Sequence, residues 1–393
     1  SWRFRPLAPL SGNRFNMAIS ELTVGPSQRR VSPTSEDMTY YLRDTLRHAV
    51  SELGYSPEQV DIVVYPGIGA KEKRVDILLD KVTRDLPDDI VTLLVYGYES
   101  EQGSYTVYFH LRNLQEAFEV GDEFLARPPG EGREATVIAQ SKVLASFSMG
   151  LVELYSDGDD EAFYRAKEYF EIGVTEAEAA ELEVALDTLY FFQGRVLAAL
   201  GQRDAARSAY NTALEYNPDY AMAHIGLGNL IYSEQQGVYY AGEEFSCANL
   251  EPALAEYRAA LESQGHYATW VEGKAHVMIG NVHLWCGQVK GDVAQLNQAV
   301  TAYDQALSAY KRDDARTEYL AMVYYVRGMA YEQLGYRASL ADEKTDAVQW
   351  YNQAIEEYAW CSDDDNAGIR TELAQGCSKA KVRVEEQLGE VGE

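Results

Sequence analysis

DTLYFFQGRVLAALGQRDAARSAYNTALEYNP, residues 187–218, reads as two helices folded back on each other. Tyr190, Gly194, Leu200-Gly201, Ala206, Tyr210, Ala213 and Pro218 stand at positions 4, 8, 14–15, 20, 24, 27 and 32 of this stretch. Small residues at positions 8, 20 and 27 let two antiparallel helices approach closely, and the aromatic at 24 fills the space against the next hairpin. One such hairpin cannot bury its own apolar face, so a continuous core requires stacked neighbours.

Working outward, the pattern repeats. Gly228, Ala253, Tyr257 and Ala260 form a second set; Gly280, Ala299, Tyr303 and Ala306 a third; Tyr324, Gly328, Tyr331, Leu334-Gly335, Ala347, Tyr351 and Ala354 a fourth. A degenerate earlier copy has Gly150, Ala166 and Phe170, with Gly173 where alanine is expected. The second copy carries about thirteen extra residues at Ser233–Ser246, the third about seven near Gly287–Leu296, and the fourth about seven near Tyr336–Thr345. Insertions recurring at one point of each hairpin should protrude from one edge and carry specific contacts. Ile369–Leu388, dotted with Lys379, Lys381, Arg383, Glu385 and Glu386, reads as a terminal capping helix.

This pattern resembles the tetratricopeptide repeat family over residues 138–360. The resemblance implies an all-α superhelical solenoid of about five hairpins with insertions and a capping helix, a surface for holding other proteins.

Before the repeats the sequence changes character. Arg127-Pro128-Pro129-Gly130-Glu131-Gly132-Arg133 interrupts any helix or strand. The expected organisation is therefore α+β: an α/β domain over 1–127 with its core at 14–125, a linker at 128–134, and the solenoid over 135–393. Arg14–Val24 alternates apolar and polar residues as a half-buried strand does. Thr34 and Asp37 open a helix bearing Met38, Tyr41, Leu42, Leu46, Ala49 and Leu53 on one face. Val60–Tyr65 and Ile90–Tyr96 read as buried strands, Tyr105–Leu111 as another, and Val75, Leu78, Leu79 and Val82 mark a second helix. The order β-α-β-α-β-β predicts a small α/β sandwich with helices packed on a sheet. It resembles the amino-terminal domain of TolB or the CsgG-like domains of bacterial envelope proteins.

Composition narrows the partners. A net charge of −28 repels phosphate backbones and anionic lipid, which excludes nucleic acid and favours basic or polar partners. The longest apolar run, Tyr319–Val326, falls far short of the ~20 residues that span a bilayer. Four cysteines permit two disulfides, Cys361–Cys377 across an acidic turn and Cys247–Cys286; four buried free thiols are the alternative. The chain opens Ser1-Trp2-Arg3 without an initiator methionine, which is read as removal of an upstream signal or anchor. Together with paired cysteines and the envelope resemblance, this predicts an extracytoplasmic bacterial protein.

Candidate chemistry is sparse. Gly67-Ile68-Gly69 follows a strand but lacks a third glycine and a Gly-Lys-Ser/Thr continuation, so it reads as a plain turn. His276, His283 and Cys286 share a helix face, yet the histidines stand at interior repeat positions. Asp157–Glu161 lacks the glycine and distal glutamate of a calcium loop. No catalytic residue, metal ligand set or cofactor is therefore assigned, and the chain is read as non-enzymatic. The concave-face positions of the resembled family fall on Arg195, Asn229, Tyr232, Lys274, Asn281 and Tyr325, with Glu332 beside them. Asn229 and Asn281 sit in LGN and IGN, and an amide there can donate to and accept from an extended peptide; a purely structural role is equally consistent. The leading reading is a scaffold binding a protein or peptide. Two alternatives stand: a self-assembling structural subunit joined through solenoid ends and insertions, and a small-molecule-sensing α/β domain coupled to the repeats.

Overall fold

The computed structural model describes residues 15–20, 23–24, 33–56, 60–65, 91–99, 105–112, 124–126, 133–155, 160–180, 183–263, 269–312, 317–363 and 371–392. The chain divides into two compact units, Ser1–Asn217 and Pro218–Glu393.

The first unit opens with a sheet of β1 (Phe15–Ser20), β2 (Thr23–Val24), β3 (Val60–Tyr65), β4 (Val91–Glu99), β5 (Tyr105–Arg112) and β6 (Phe124–Ala126). Its order is β3-β1-β4-β5-β6, with β2 paired to β4. β1 runs parallel to both β3 and β4, while β5 runs antiparallel to both β4 and β6. The sequence reads β1 as half-buried, but Met17, Ala18 and Ile19 are consecutive and all 0% exposed. A strand flanked on both edges and covered on both faces has no solvent side, so alternation fails there. Helix α1 (Pro33–Glu52) packs on β3 and β1, and Arg47 donates from Nη2 to the Ile62 carbonyl at 2.8 Å. The second helix read at Val75–Val82, Gly67–Gly69, and residues 128–132 of the linker lie outside the described residues. Arg133 already belongs to helix α2.

Two hairpins complete this unit: α2 (Arg133–Tyr155) with α3 (Asp160–Ala179), and α4 (Glu183–Ala199) with α5 (Arg203–Tyr216). α1 lies against α2 and ends in a polar knot. Tyr55 donates to the buried Glu153 carboxylate at 2.8 Å, Tyr169 donates to Tyr55 at 2.9 Å, and Arg165 pairs with Glu153 at 2.9 Å. Burial foremost, and then these hydrogen bonds, push the Tyr55 phenol far up, so it stays a donor.

The second unit stacks α6 (Ala221–Tyr240) with α7 (Glu251–Glu262), α8 (Thr269–Lys290) with α9 (Val293–Arg312), and α10 (Thr317–Leu340) with α11 (Lys344–Cys361). Helix α12 (Thr371–Gly392) closes the row against α11. The glycine-against-ring rule decides each hairpin's register. A Cβ on Gly228 would meet Tyr257 Cε1 at 2.4 Å, one on Gly280 would meet Tyr303 Cε1 at 2.4 Å, and one on Gly194 would meet Tyr210 Cε1 at 2.6 Å. On α8 the rule extends to Gly273 against Tyr310 and Gly287 against Leu296. The fourth copy departs from the sequence alignment. Gly335, not Gly328, faces Tyr351, and Gly328 faces Tyr358 instead. The two glycines lie seven residues apart, two helical turns, so they share one face and spacing alone cannot choose between them. The short turn at residues 341–343 makes the choice.

The insertions also differ from expectation: they lengthen helices more than they make loops. α6, α8 and α10 run 20, 22 and 24 residues against 17 in α4. Seven extra residues shared between two helices add about one turn to each, which preserves the facing rows. Only the second copy keeps a real loop, Ala241–Ser246, followed by the 3₁₀ turn Cys247–Leu250.

The register predicts opposite outcomes for two glycines in similar helices. Gly280→Ala should destabilise by about 1–2 kcal/mol, because overpacking against a fully buried ring outweighs the helix-propensity gain. Gly237→Ala, where a Cβ meets nothing within 4 Å, should stabilise by about 0.5–1 kcal/mol. Urea midpoints test both; a Gly280→Ala midpoint above wild type contradicts the register.

Candidate functional site

The first helices of the second unit's hairpins, α6, α8 and α10, carry the sequence-assigned groove residues Asn229, Tyr232, Lys274, Asn281 and Tyr325. Arg195 lies in the first unit, on α4, where its charge opposes the rise of the Tyr210 phenol, which burial takes to about 12.

Asn229 follows Gly228, and Asn281 follows Gly280, for one geometric reason. The glycine admits the ring of the facing tyrosine, and the next residue's amide receives its hydroxyl. Tyr257 donates to Asn229 Oδ1 at 2.8 Å, and Tyr303 donates to Asn281 Oδ1 at 2.8 Å. Both phenols are raised by burial, which keeps them protonated and donating. Each asparagine oxygen is thus engaged, and the amide presents its NH₂ side. Among the described residues Asn281 Nδ2 donates to the Met278 sulfur, at 3.9 Å. One acceptor position of each amide oxygen is thus filled from within the hairpin, beside the amide's two donors.

Tyr232 links the two helices. Its hydroxyl reaches the Asn281 main-chain carbonyl at 3.4 Å, and its ring meets Trp285 edge-on at 5.6 Å. Burial raises its phenol to about 12. Asn229, Tyr232 and Asn281 form one connected group; Lys274 lies half-buried two turns before Asn281 on α8. Tyr325 sits in a different setting, tilted against Tyr358 at 5.9 Å.

Glu332, expected on the concave face, is buried instead. It accepts from Tyr358 at 2.9 Å and from Arg383 of α12 at 2.8 and 2.6 Å. Nothing in the repeat spacing signals this, because it depends on where the capping helix docks. The histidines of α8 also acquire structural partners or burial. His283 Nδ1 meets Gln295 Oε1 at 2.8 Å, His276 is held below its ordinary value by desolvation, and Cys286 is disulfide-bonded to Cys247. The second disulfide joins Cys361 to Cys377. Among the described residues no three His, Cys, Asp or Glu side chains gather as a metal site. No described helix is long and apolar enough to cross a membrane.

Comparison with known proteins adds the following. The family model for the TPR repeat matches residues 194–235. No curated protein matches the sequence. Among solved structures, the chain is similar to PilW, a "widely conserved type IV pilus biogenesis factor", at 14% identity, covering 63% of this chain and 91% of that one with a TM-score of 0.35. It is similar to YrrB, "a TPR protein with an unusual peptide-binding site", at 17% identity over 52% of this chain and 97% of that one, TM-score 0.27. For yeast Tom70 the values are 14%, 65%, 56% and 0.29. The chain thus carries a tetratricopeptide repeat at residues 194–235, and the same pairing of glycine with an aromatic ring recurs in the hairpins that follow it.

Proposed function

We propose that the chain is a non-enzymatic scaffold that holds a protein or peptide partner on the face formed by α6 and α8. The observation that carries this reading is the pair of asparagines, one on each helix, set in matching geometry with their oxygens pinned by tyrosine hydroxyls. Their amide NH₂ groups make a two-point donor array suited to main-chain carbonyls of an extended peptide, with Tyr232 beside them. Two disulfides favour an oxidising, extracytoplasmic compartment. In this reading the sheet region, with its resemblance to envelope domains, is a docking module clamped to α2 through Glu153. Self-assembly through the carboxy-terminal end is disfavoured: α12 turns Glu372, Lys379, Glu385, Glu386 and Glu390 outward, a solvated face.

The test uses peptides selected from a displayed random library against the oxidised full chain. Asn229→Asp/Asn281→Asp keeps an acceptor for each tyrosine but removes both NH₂ donors. Selected peptides should lose at least about tenfold in affinity, equivalent to about 1.4 kcal/mol, at nearly unchanged melting temperature. Peptides that bind the double variant as tightly as wild type would show that this face is not the site.

A further inference from the structure

Of the six large apolar side chains exposed in the second unit's described residues, five sit at the turn ends of its hairpins: Tyr239 (38%), Tyr240 (76%), Val293 (46%), Tyr336 (43%) and Leu340 (64%). They belong to the lengthened part of the helices, the last two turns of α6 and α10 and the start of α9. Solvent-facing apolar residues scatter on an ordinary surface; gathering at one edge of three consecutive hairpins is the pattern of an interaction site.

The edge is continuous. Tyr239 meets Phe245 edge-on at 6.0 Å, and Phe245 packs on Trp285 at 4.5 Å. Lys290, at the end of α8, donates to the Phe245 carbonyl at 2.7 Å. Across the next boundary Arg337 donates to the Gln288 carbonyl at 3.1 Å and lies over the Tyr336 ring. The turns of the second, third and fourth hairpins are thereby tied side by side; Tyr240 lies against Tyr239 at 5.4 Å, and Leu340 follows Tyr336 by one turn of α10.

Charge identifies the occupant. Glu243, Glu244, Asp292, Asp342, Glu343 and Asp346 are all exposed around these turns. Against these six carboxylates stand three cations, Lys290 and Arg337, each holding a backbone carbonyl, and Lys344, so the rim keeps a net negative charge. An apolar strip with an acidic rim repels a second copy of the same strip in a chain of net charge −28. It complements a basic surface that carries its own apolar side chains.

We propose that the turn edge of the second unit, centred on Tyr240, Tyr336 and Leu340, is a docking surface for a basic partner protein that presents apolar residues ringed by lysine or arginine. It is separate from the α6–α8 face.

The probe is a fluorescent amphipathic helical peptide of leucine and lysine, titrated into the oxidised full chain, with a leucine–glutamate peptide as its charge-reversed control. Expected are binding of the lysine peptide alone, and at least about tenfold weaker binding in Tyr240→Ser/Leu340→Ser and in Glu243→Lys/Glu343→Lys. Asn229→Asp/Asn281→Asp should bind it like wild type, which separates this surface from the groove. Equal affinity of the lysine peptide for wild type and both edge variants overturns the proposal, as does its failure to bind or equal binding of the glutamate peptide. Wild-type dimerisation in sedimentation that Tyr240→Ser/Leu340→Ser abolishes would assign the edge to a second copy and overturn it too.

Discussion

Replacing all four cysteines by serine should cost the second unit most of its stability. In the chain-entropy model the Cys247–Cys286 bond, spanning 39 residues, contributes about 4 kcal/mol, and Cys361–Cys377, spanning 16, about 3 kcal/mol. The two loops do not overlap and share no partners, so the losses should add, to a total comparable with the whole stability of an ordinary domain. Placement makes the effect larger in kind as well as size. Neither bond closes a hairpin on itself. Cys247 precedes α7 and is joined to α8 of the next hairpin, while Cys361 ends α11 and is joined to the capping helix α12. In stacked repeats cooperativity lives in the contacts between neighbours, so cutting both bonds should broaden the urea transition as well as shift it. Circular dichroism of the four-serine variant and of wild type with and without reductant provides the measurement. Coincident transitions in all samples would mean that the bonds carry no such load.

How much of this was readable beforehand varies with the physics involved. The glycine–aromatic rows were legible because a missing Cβ and a large ring are chemical facts of the sequence, and their spacing is fixed by helix geometry. Gly335 shows the limit: where a helix holds two glycines two turns apart, both satisfy the rule, and only the turn length discriminates. The helical extensions are visible in the sequence as extra residues that should protrude, but not as further turns of helix. Val238, Tyr239 and Tyr240 carry nothing to stop α6, which runs on until Gly242, at φ 76°, takes the left-handed conformation that caps it and Glu243 N–H donates to the Val238 carbonyl at 3.1 Å. β1 reads as half-buried for a related reason, since burial on a second face depends on what covers the sheet. Asn229 and Asn281 were found by position, yet their oxygens were committed to Tyr257 and Tyr303 through the hairpin's fold. Glu332 was the deepest miss. A charged residue at a groove position reads as exposed until a distant element supplies its counter-charge.

That element yields the second large expected effect. Arg383→Met should destabilise the second unit by about 2–3 kcal/mol, because it strands a carboxylate in a low-dielectric site. Glu332 has 8% of its side chain exposed and the Arg383 side chain 53%, so the pair joins one buried partner to one at the surface. The cost belongs almost wholly to the glutamate. For that reason the estimate sits below the range for a pair buried at both ends. Tyr358 keeps its hydrogen bond to Glu332 Oε2 in the variant, but a neutral donor cannot replace a guanidinium that engages both oxygens. The guanidinium's own value is raised, first by the hydrogen bond to Glu332 and against the cost of burial, which marks the pair as attractive in place. A companion measurement isolates the mechanism. Glu332→Gln/Arg383→Met removes the stranded charge and should recover most of the loss, whereas simple loss of packing by Arg383 would leave the deficit intact. If the double variant unfolds at the same urea concentration as Arg383→Met alone, the capping helix is held by its apolar face and the disulfide, and the buried glutamate has no part in seating it.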